Sequence, residues 1–444
     1  MKRIMIAGTH SGCGKTTVTC AVLQALCDRN IRVSSFKCGP DYIDPMFHRR
    51  ITGVPSYNLD GKFCTGTQLR SLLAENARDI AVIEGVMGFY DGADQKSSSC
   101  GVSMSTDTPV VIVIDCKGAS QSLGAVMKGF LTYRKNHIAG FIFNRLPNAL
   151  IEQTMDICNE LGAEFLGSLP SCPDAVIESR HLGLVTADEI GSIKEKMERL
   201  SALAEENIRL DRLIGIAENA ADIKSELPCP VPLSDVPVRI AVARDSAFCF
   251  YYEETFELLK RLGCEMIPFS PIADKKLPDG ICGMYIGGGY PELYAKKLSD
   301  NKDMTDAVRA AIEDGVPTIA ECGGFMYLCS ELSDSSGRCF RMAGVFGGKC
   351  FPTGRLQRFG YAQLTAQSDN MLCKKDDKLM AHEFHYWDCT DNGSSFLAQR
   401  SRNRTDRCVF ADGHIYAGFP HLYLYSRQDA AENFVRKCME YREK

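Results

Sequence analysis

Arg3-Ile4-Met5-Ile6-Ala7-Gly8-Thr9-His10-Ser11-Gly12-Cys13-Gly14-Lys15-Thr16-Thr17 runs an apolar strand straight into a glycine-bracketed loop, and residues 16–27 read as a helix. Strand, loop and helix N-terminus in that order form a phosphate cradle, because the loop amides and the helix dipole present positive charge to one point. The phosphate-binding residues are then Gly12, Gly14, Lys15, Thr16 and Thr17. Lys15 is expected on the β/γ oxygens, and the Thr16 hydroxyl in a Mg2+ shell. In the pattern G-x-x-x-x-G-K-[ST] the first glycine position falls on Thr9 rather than Gly8, so this loop is one residue longer than the usual form.

Beyond the loop, short β-branched runs at 33–37, 80–84, 110–115 and 138–144 alternate with longer amphipathic stretches, the signature of a doubly wound, mostly parallel sheet. A charged, helix-compatible segment from 191 to 224 leads to Leu227-Pro228-Cys229-Pro230-Val231-Pro232, where the prolines forbid a helix and mark an extended linker. A second α/β series follows, with strands at 238–243, 264–269, 283–286 and 317–320. The expected fold class is α/β with two doubly wound domains: an ATP-binding domain over 1–190, a helical segment and linker over 191–236, and a second domain over 237–444.

Lys37-Cys38-Gly39-Pro40-Asp41-Tyr42-Ile43-Asp44-Pro45 begins at a predicted strand end, where open α/β sheets keep their sites. Glu84, at the end of another strand in Glu84-Gly85-Val86-Met87-Gly88-Phe89-Tyr90-Asp91-Gly92, is placed to hold Mg2+ opposite Thr16. Asp41, Asp44 and Asp91 read equally well as turn residues beside glycine and proline. Asn144 ends a further strand and suits either an adenine edge or a turn.

In the second half, the strand 316–320 meets Cys322 at a turn flanked by Gly323-Gly324, with residues 325–332 helix-compatible. A sharp strand-to-helix turn exposes a nucleophile, and a helix N-terminus favours a thiolate. Cys322 is therefore the predicted nucleophile. Gly287-Gly288-Gly289 ends an earlier strand, and with Gly323 its Gly288 and Gly289 amides suit an oxyanion hole. His421, late in the chain, is the expected base. His382 and His385 are three residues apart, which excludes the H-E-x-x-H zinc motif.

With 51 basic and 56 acidic residues the net charge is -5, so no global field would hold nucleic acid or an anionic membrane. No apolar run approaches membrane-spanning length and the first residues enter a strand at once, so a cytoplasmic protein is expected. The 21 cysteines contain no C-x-x-C pair; outside Cys322 they read as small buried hydrophobes in a reducing compartment.

The elongated loop resembles that of dethiobiotin synthetase and its relatives, which activate carboxylates with ATP. The segments 8–17, 37–45, 84–92, 179–184, 243–252, 287–293, 321–325 and 382–386 together resemble the cobyrinic acid a,c-diamide synthases, glutamine amidotransferases of cobalamin biosynthesis, along nearly the whole chain. The resemblance implies that ATP phosphorylates the a and c acetate carboxylates of a corrin and that ammonia released from glutamine at Cys322 displaces the phosphate. It assigns ATP and Mg2+ to Lys15, Thr16 and Glu84. Lys37, Asp41, Tyr42, Asp44 and Asp91 would lie near the substrate carboxylates, with Arg180 and His181 a corrin or nucleotide contact.

Hydrogenobyrinic acid and nickel sirohydrochlorin present comparable acetates and stay open as substrates. A partitioning-type scaffold ATPase is the alternative from another class, although it has no use for Cys322. Partners are then the tetrapyrrole, glutamine and ATP, without nucleic acid or membrane, and a homodimer is one assembly left open. Many such amidotransferases carry a Glu two residues after the histidine, where this chain has Tyr423, so either a Cys–His dyad or a distant third member is expected.

Overall fold

The computed structural model describes residues 1–172, 187–400 and 404–444. It divides into two compact units, Met1–Leu227 and Pro228–Lys444, the division falling inside the proline-rich stretch.

In the first unit seven parallel strands follow the order β3-β2-β4-β1-β5-β6-β7. They are β1 (Arg3–Gly8), β2 (Val33–Cys38), β3 (Ser56–Leu59), β4 (Ile80–Glu84), β5 (Val110–Asp115), β6 (Ile138–Asn144) and β7 (Phe165–Leu169). Ile4, Ile6, Val82, Val111, Val113 and Ile142 are buried to completion, as near-continuous apolar strands must be when helices cover both faces. One layer comprises α1 (Lys15–Asp28) and the helices Ala187–Asn207 and Leu210–Glu218, whose Leu200, Leu203, Ala204 and Leu213 share a core with Val18, Ala21 and Val22 of α1. The charged stretch after residue 190 therefore folds as part of the first unit, because its apolar stripe needs a surface to cover. The adjacent strands β1, β2 and β4 bring Gly8, Lys37 and Glu84 to the carboxyl edge of the sheet, with Lys37 directly beside Glu84 in register.

The second unit holds a six-stranded sheet in the order Cys264–Phe269, Val238–Ala243, Gly283–Ile286, Thr318–Glu321, Ile415–Gly418, Phe410–Ala411. All neighbours are parallel except the last pair, which is antiparallel. Beside it lies a five-stranded antiparallel sheet built from Thr405–Cys408, Phe396–Arg400, Arg358–Ala366, Lys378–His385 and His421–Leu422. The helix after Cys322 ends at Leu328 rather than running to 332. Cys329 turns extended (φ -68°, ψ 170°), and Cys329–Ser333 becomes a strand in a four-stranded sheet with Cys339–Arg341, Phe346–Pro352 and Trp387–Cys389. Pairing with Phe346–Pro352 satisfies backbone groups that a longer helix would have used, so tertiary pairing overrides the local helical pattern.

Candidate functional sites

The phosphate loop lies between β1 and α1. Gly14, the residue before α1, has φ 98°, and a Cβ there would stand 2.1 Å from the Asn144 amide nitrogen, so only glycine fits the turn. Asn144 Nδ2 donates to the Cys13 carbonyl at 3.0 Å, bracing the loop from the end of β6. Lys15 is buried, and its Nζ donates to the His10 carbonyl at 3.2 Å across the loop. Burial lowers the Lys15 pKa, so an anion in the loop would restore the environment that its charge prefers.

Next to the loop is a buried cluster of charge. Thr16 Oγ1 donates to Glu84 Oε1 at 2.6 Å, Lys37 Nζ reaches the same oxygen at 3.1 Å, and His48 Nε2 meets Glu84 Oε2 at 2.8 Å. Lys37 Nζ also lies 2.6 Å from Asp44 Oδ2. Burial pushes the Glu84 carboxyl up, but the Lys37 ammonium and the His48 hydrogen bond outweigh it and leave its pKa below the usual carboxylate range. Asp44 is shifted the other way, by burial and by the neighbouring carboxylates Asp41 and Glu84. One ammonium between two carboxylates compensates only one of them fully, so the cluster accommodates further positive charge. Its donors, a hydroxyl and carboxylates, are the hard oxygens that Mg2+ takes.

In the second unit Cys322 sits at φ 49° and ψ -102°, a conformation that L residues adopt only when the surroundings impose it. The imposing contacts are visible. Its amide donates to the Gly418 carbonyl at 2.7 Å, and its carbonyl accepts from the Met326 amide at 2.9 Å to start the helix Gly323–Leu328. Gly288 packs against His421: a Cβ there would lie 2.5 Å from His421 Cε1. A Cβ on Gly323 would stand 3.2 Å from the Gly289 amide nitrogen, so Gly288, Gly289 and Gly323 converge on the thiol turn. Tyr251 orders the glycine run, its hydroxyl accepting from the Gly287 amide at 3.0 Å and donating to the Ala243 carbonyl.

His421 is buried, hydrogen-bonds Cys322, and has its Nδ1 3.5 Å from Glu321 Oε2. Burial opposes charge on this imidazole, yet the contacts with Cys322 and Glu321 prevail and raise its pKa to about 10. Glu321 is itself held by the Tyr285 hydroxyl at 3.1 Å and the Leu422 amide at 3.0 Å, both donating to Oε1. His382, which faces His421 in register across neighbouring strands, goes the other way: burial, then the charge of His421, lower it to about 3, so it stays neutral.

The structure thus brings Lys15, Thr16, Glu84, Lys37 and Asp44 together around the loop, and Cys322, His421, Gly288, Gly289 and Gly323 around the thiol. Gly12, with φ 83°, and Thr17, in the first turn of α1, complete the loop. Asp41 caps α2 (Ile43–Thr52), its Oδ1 accepting from the Ile43 and Asp44 amides, with Tyr42 the residue before the helix. Asp91 accepts from the Gly88 amide at 3.1 Å in its own turn. Asn144 has its amide nitrogen on the loop, bonded to the Cys13 carbonyl. Arg180 and His181 lie outside the described residues.

Two residues carried no role in the sequence reading, His48 and Glu321. His48 stands one helical turn beyond Asp44 on α2, a spacing that periodicity could have flagged. Glu321 immediately precedes Cys322, whereas a search after the histidine finds Tyr423.

A phosphate loop beside a buried carboxylate–lysine cluster, together with a thiol–imidazole–carboxylate set on a strained strand-to-helix turn, defines a nucleotide-dependent amidotransferase. Residues 4–184 match the CobQ/CobB/MinD/ParA nucleotide binding domain family, and residues 239–429 match the CobB/CobQ-like glutamine amidotransferase domain family. The chain is 37% identical over 450 residues to the cobyrinate a,c-diamide synthase of Caldanaerobacter subterraneus subsp. tengcongensis, a match covering 98% of each chain. It is 36% identical to the protein of that name from Priestia megaterium (98% of this chain, 97% of that one) and 36% identical to that from Thermoplasma volcanium (100% and 98%). The chain belongs to the cobyrinate a,c-diamide synthase family.

Proposed function

We propose that this protein amidates the a and c acetate carboxylates of cobyrinic acid, using ATP and glutamine, through acyl-phosphate intermediates. The observation that carries the reading is the presence, in a chain similar over its full length to such synthases, of both a phosphate loop ringed by Lys37, Asp44 and Glu84 and a Cys322–His421–Glu321 site.

In the second unit the Cys322 thiolate attacks the glutamine side-chain amide. The oxyanion is met by the amides of Gly288, Gly289 and Gly323, and imidazolium His421 protonates the departing ammonia. Water then cleaves the thioester to glutamate, His421 taking its proton. Glu321 holds Nδ1, so that Nε2 faces the sulfur and the imidazolium is stabilised. In the first unit the substrate carboxylate attacks the γ-phosphorus of ATP, ADP leaves, and ammonia displaces phosphate from the acyl phosphate to give the amide.

Lys15 and the loop amides neutralise the phosphoryl oxygens. Thr16, backed by Glu84, would hold Mg2+, which when bound offsets charge on the β and γ phosphates. Lys37 and Asp44, on strand and helix beside the loop, are the residues that would receive the acetate, with Asp41, Tyr42 and Asp91 on the adjoining turns. This reading includes a cytoplasmic location and allows a homodimer. Among the described residues no helix is long and apolar enough to cross a membrane.

Incubation of the purified protein with cobyrinic acid, Mg2+, ATP and glutamine, followed by mass spectrometry, tests it. A doubly amidated corrinoid is expected, lost in Cys322→Ala with glutamine and restored by ammonia. An unchanged corrinoid alongside intact glutaminase activity would overturn the substrate assignment, and hydrogenobyrinic acid and nickel sirohydrochlorin would then be tried in its place.

A further inference from the structure

Cys329, Cys350 and Cys389 come from three neighbouring strands of the small sheet that follows the thiol turn, and their sulfurs lie within 4.8 Å of one another. Cys350 and Cys389 are directly opposed in register, and Cys329 Sγ stands 3.8 Å from Cys389 Sγ. They are 0%, 1% and 6% exposed, so the group is enclosed with Cys389 as its outermost member. Gly348 lies against the group, where a Cβ would come within 2.6 Å of Cys389 Sγ, so no side chain intrudes on the sulfurs.

Sulfurs bound to one Zn2+ at about 2.3 Å stand about 3.7–4.0 Å apart, and three convergent thiols without a competing hard donor select soft, closed-shell ions. Among the described residues the group has three members, all sulfur. Buried cysteines packed merely as hydrophobes need not point at one another, whereas the sulfurs of these three converge on one point.

We propose that Cys329, Cys350 and Cys389 form a trithiolate site for a thiophilic d10 cation, with Zn2+ as its divalent and Cu+ as its monovalent occupant. Binding replaces the S–H protons, which pass to solvent, and no oxidation state changes. The site is separate from the thiol of glutamine cleavage, although the helix Gly323–Leu328 runs from Cys322 directly into Cys329.

The reduced, metal-stripped full-length protein, titrated with Cd2+ as an optical probe and separately with Zn2+ and Cu+, tests the proposal. The expected result is a thiolate-to-cadmium charge-transfer band saturating at about one equivalent per chain, with proton release and retention of metal through gel filtration. The band should fall at least tenfold in Cys350→Ser and Cys389→Ser and persist in Cys20→Ala, a buried cysteine of the first unit. Absence of a saturable band in the wild-type protein would overturn the proposal, even if the serine variants fail to fold. A band that survives in a folded Cys350→Ser/Cys389→Ser double variant would overturn it equally.

Discussion

Replacing Glu321 by Gln removes a charge while keeping the side chain's shape. The Leu422 amide and the Tyr285 hydroxyl both donate to Oε1, so the new amide must place its oxygen there and turn its NH2 towards His421 Nδ1. Nδ1 would then have to accept, which leaves the proton on Nε2 and the imidazole unable to take the proton of Cys322. The lost attraction can be sized from the 3.5 Å contact: at an effective dielectric near 20 it is at most about 5 kcal/mol. Because two donors already spread the Glu321 charge, roughly 3–4 kcal/mol is expected to disappear from the transition state, about a 10²–10³-fold fall in glutaminase kcat/KM. Glutamate release by the variant gives this number directly. Alkylation of Cys322 across pH reads the protonation of the neighbouring His421, and the limb that His421 sets should move down from near pH 10 in Glu321→Gln. Amidation supplied with free ammonia should stay within about twofold of wild type. Glutaminase within about threefold of wild type, with an unmoved alkylation profile, would refute the assignment of Glu321 as the residue that positions His421.

Lys15→Ala is expected to reduce ATP-dependent amidation by about 10²–10³-fold, the usual cost of one charge-stabilising donor, while glutaminase measured alone is retained. Gly288→Ala sets a methyl 2.5 Å from His421 Cε1 and must shift the base; a loss of about 1–3 kcal/mol in denaturant stability and a larger fractional loss of glutaminase than of ammonia-dependent amidation should be seen. His421 has a folded pKa of about 10 against 6.5 unfolded. The stability it contributes is therefore complete below about pH 6.5 and is lost as the pH rises through 10, so wild type should lose its thermal advantage over His421→Gln between those values. His48→Gln keeps a donor for Glu84 but not a chargeable one, and a modest rise in KM for ATP with unchanged glutaminase would place His48 in support of the nucleotide site.

How much of this was legible in the chain depended on how local each feature is. The phosphate loop and the thiol turn are contiguous motifs whose chemistry depends on adjacent backbone, so Lys15, Thr16 and Cys322 could be read from spacing alone. Lys37 and Glu84 sit 47 positions apart, but each ends an apolar strand, and strand ends in a parallel sheet share one edge; their nearness followed from the fold class. Asp41 and Asp91 could not be resolved between site and turn from sequence, and their hydrogen bonds place both in caps and turns. The antiparallel sheet of the second unit escaped because strands such as Lys378–His385 alternate weakly and owe their pairing to partners far along the chain.

By itself, then, the sequence determined the two α/β units and pointed to the phosphate loop, Cys322 and the late histidine as candidates, because periodicity and turn chemistry act over a few residues. Tertiary structure alone decided that Glu321 is the carboxylate on His421, that His48 supports Glu84, that Asn144 braces the loop, and that three scattered cysteines share one enclosed space. Each of these depends on strand register and on the burial that makes a few ångströms of separation energetically decisive, and neither is written in any local stretch of the chain.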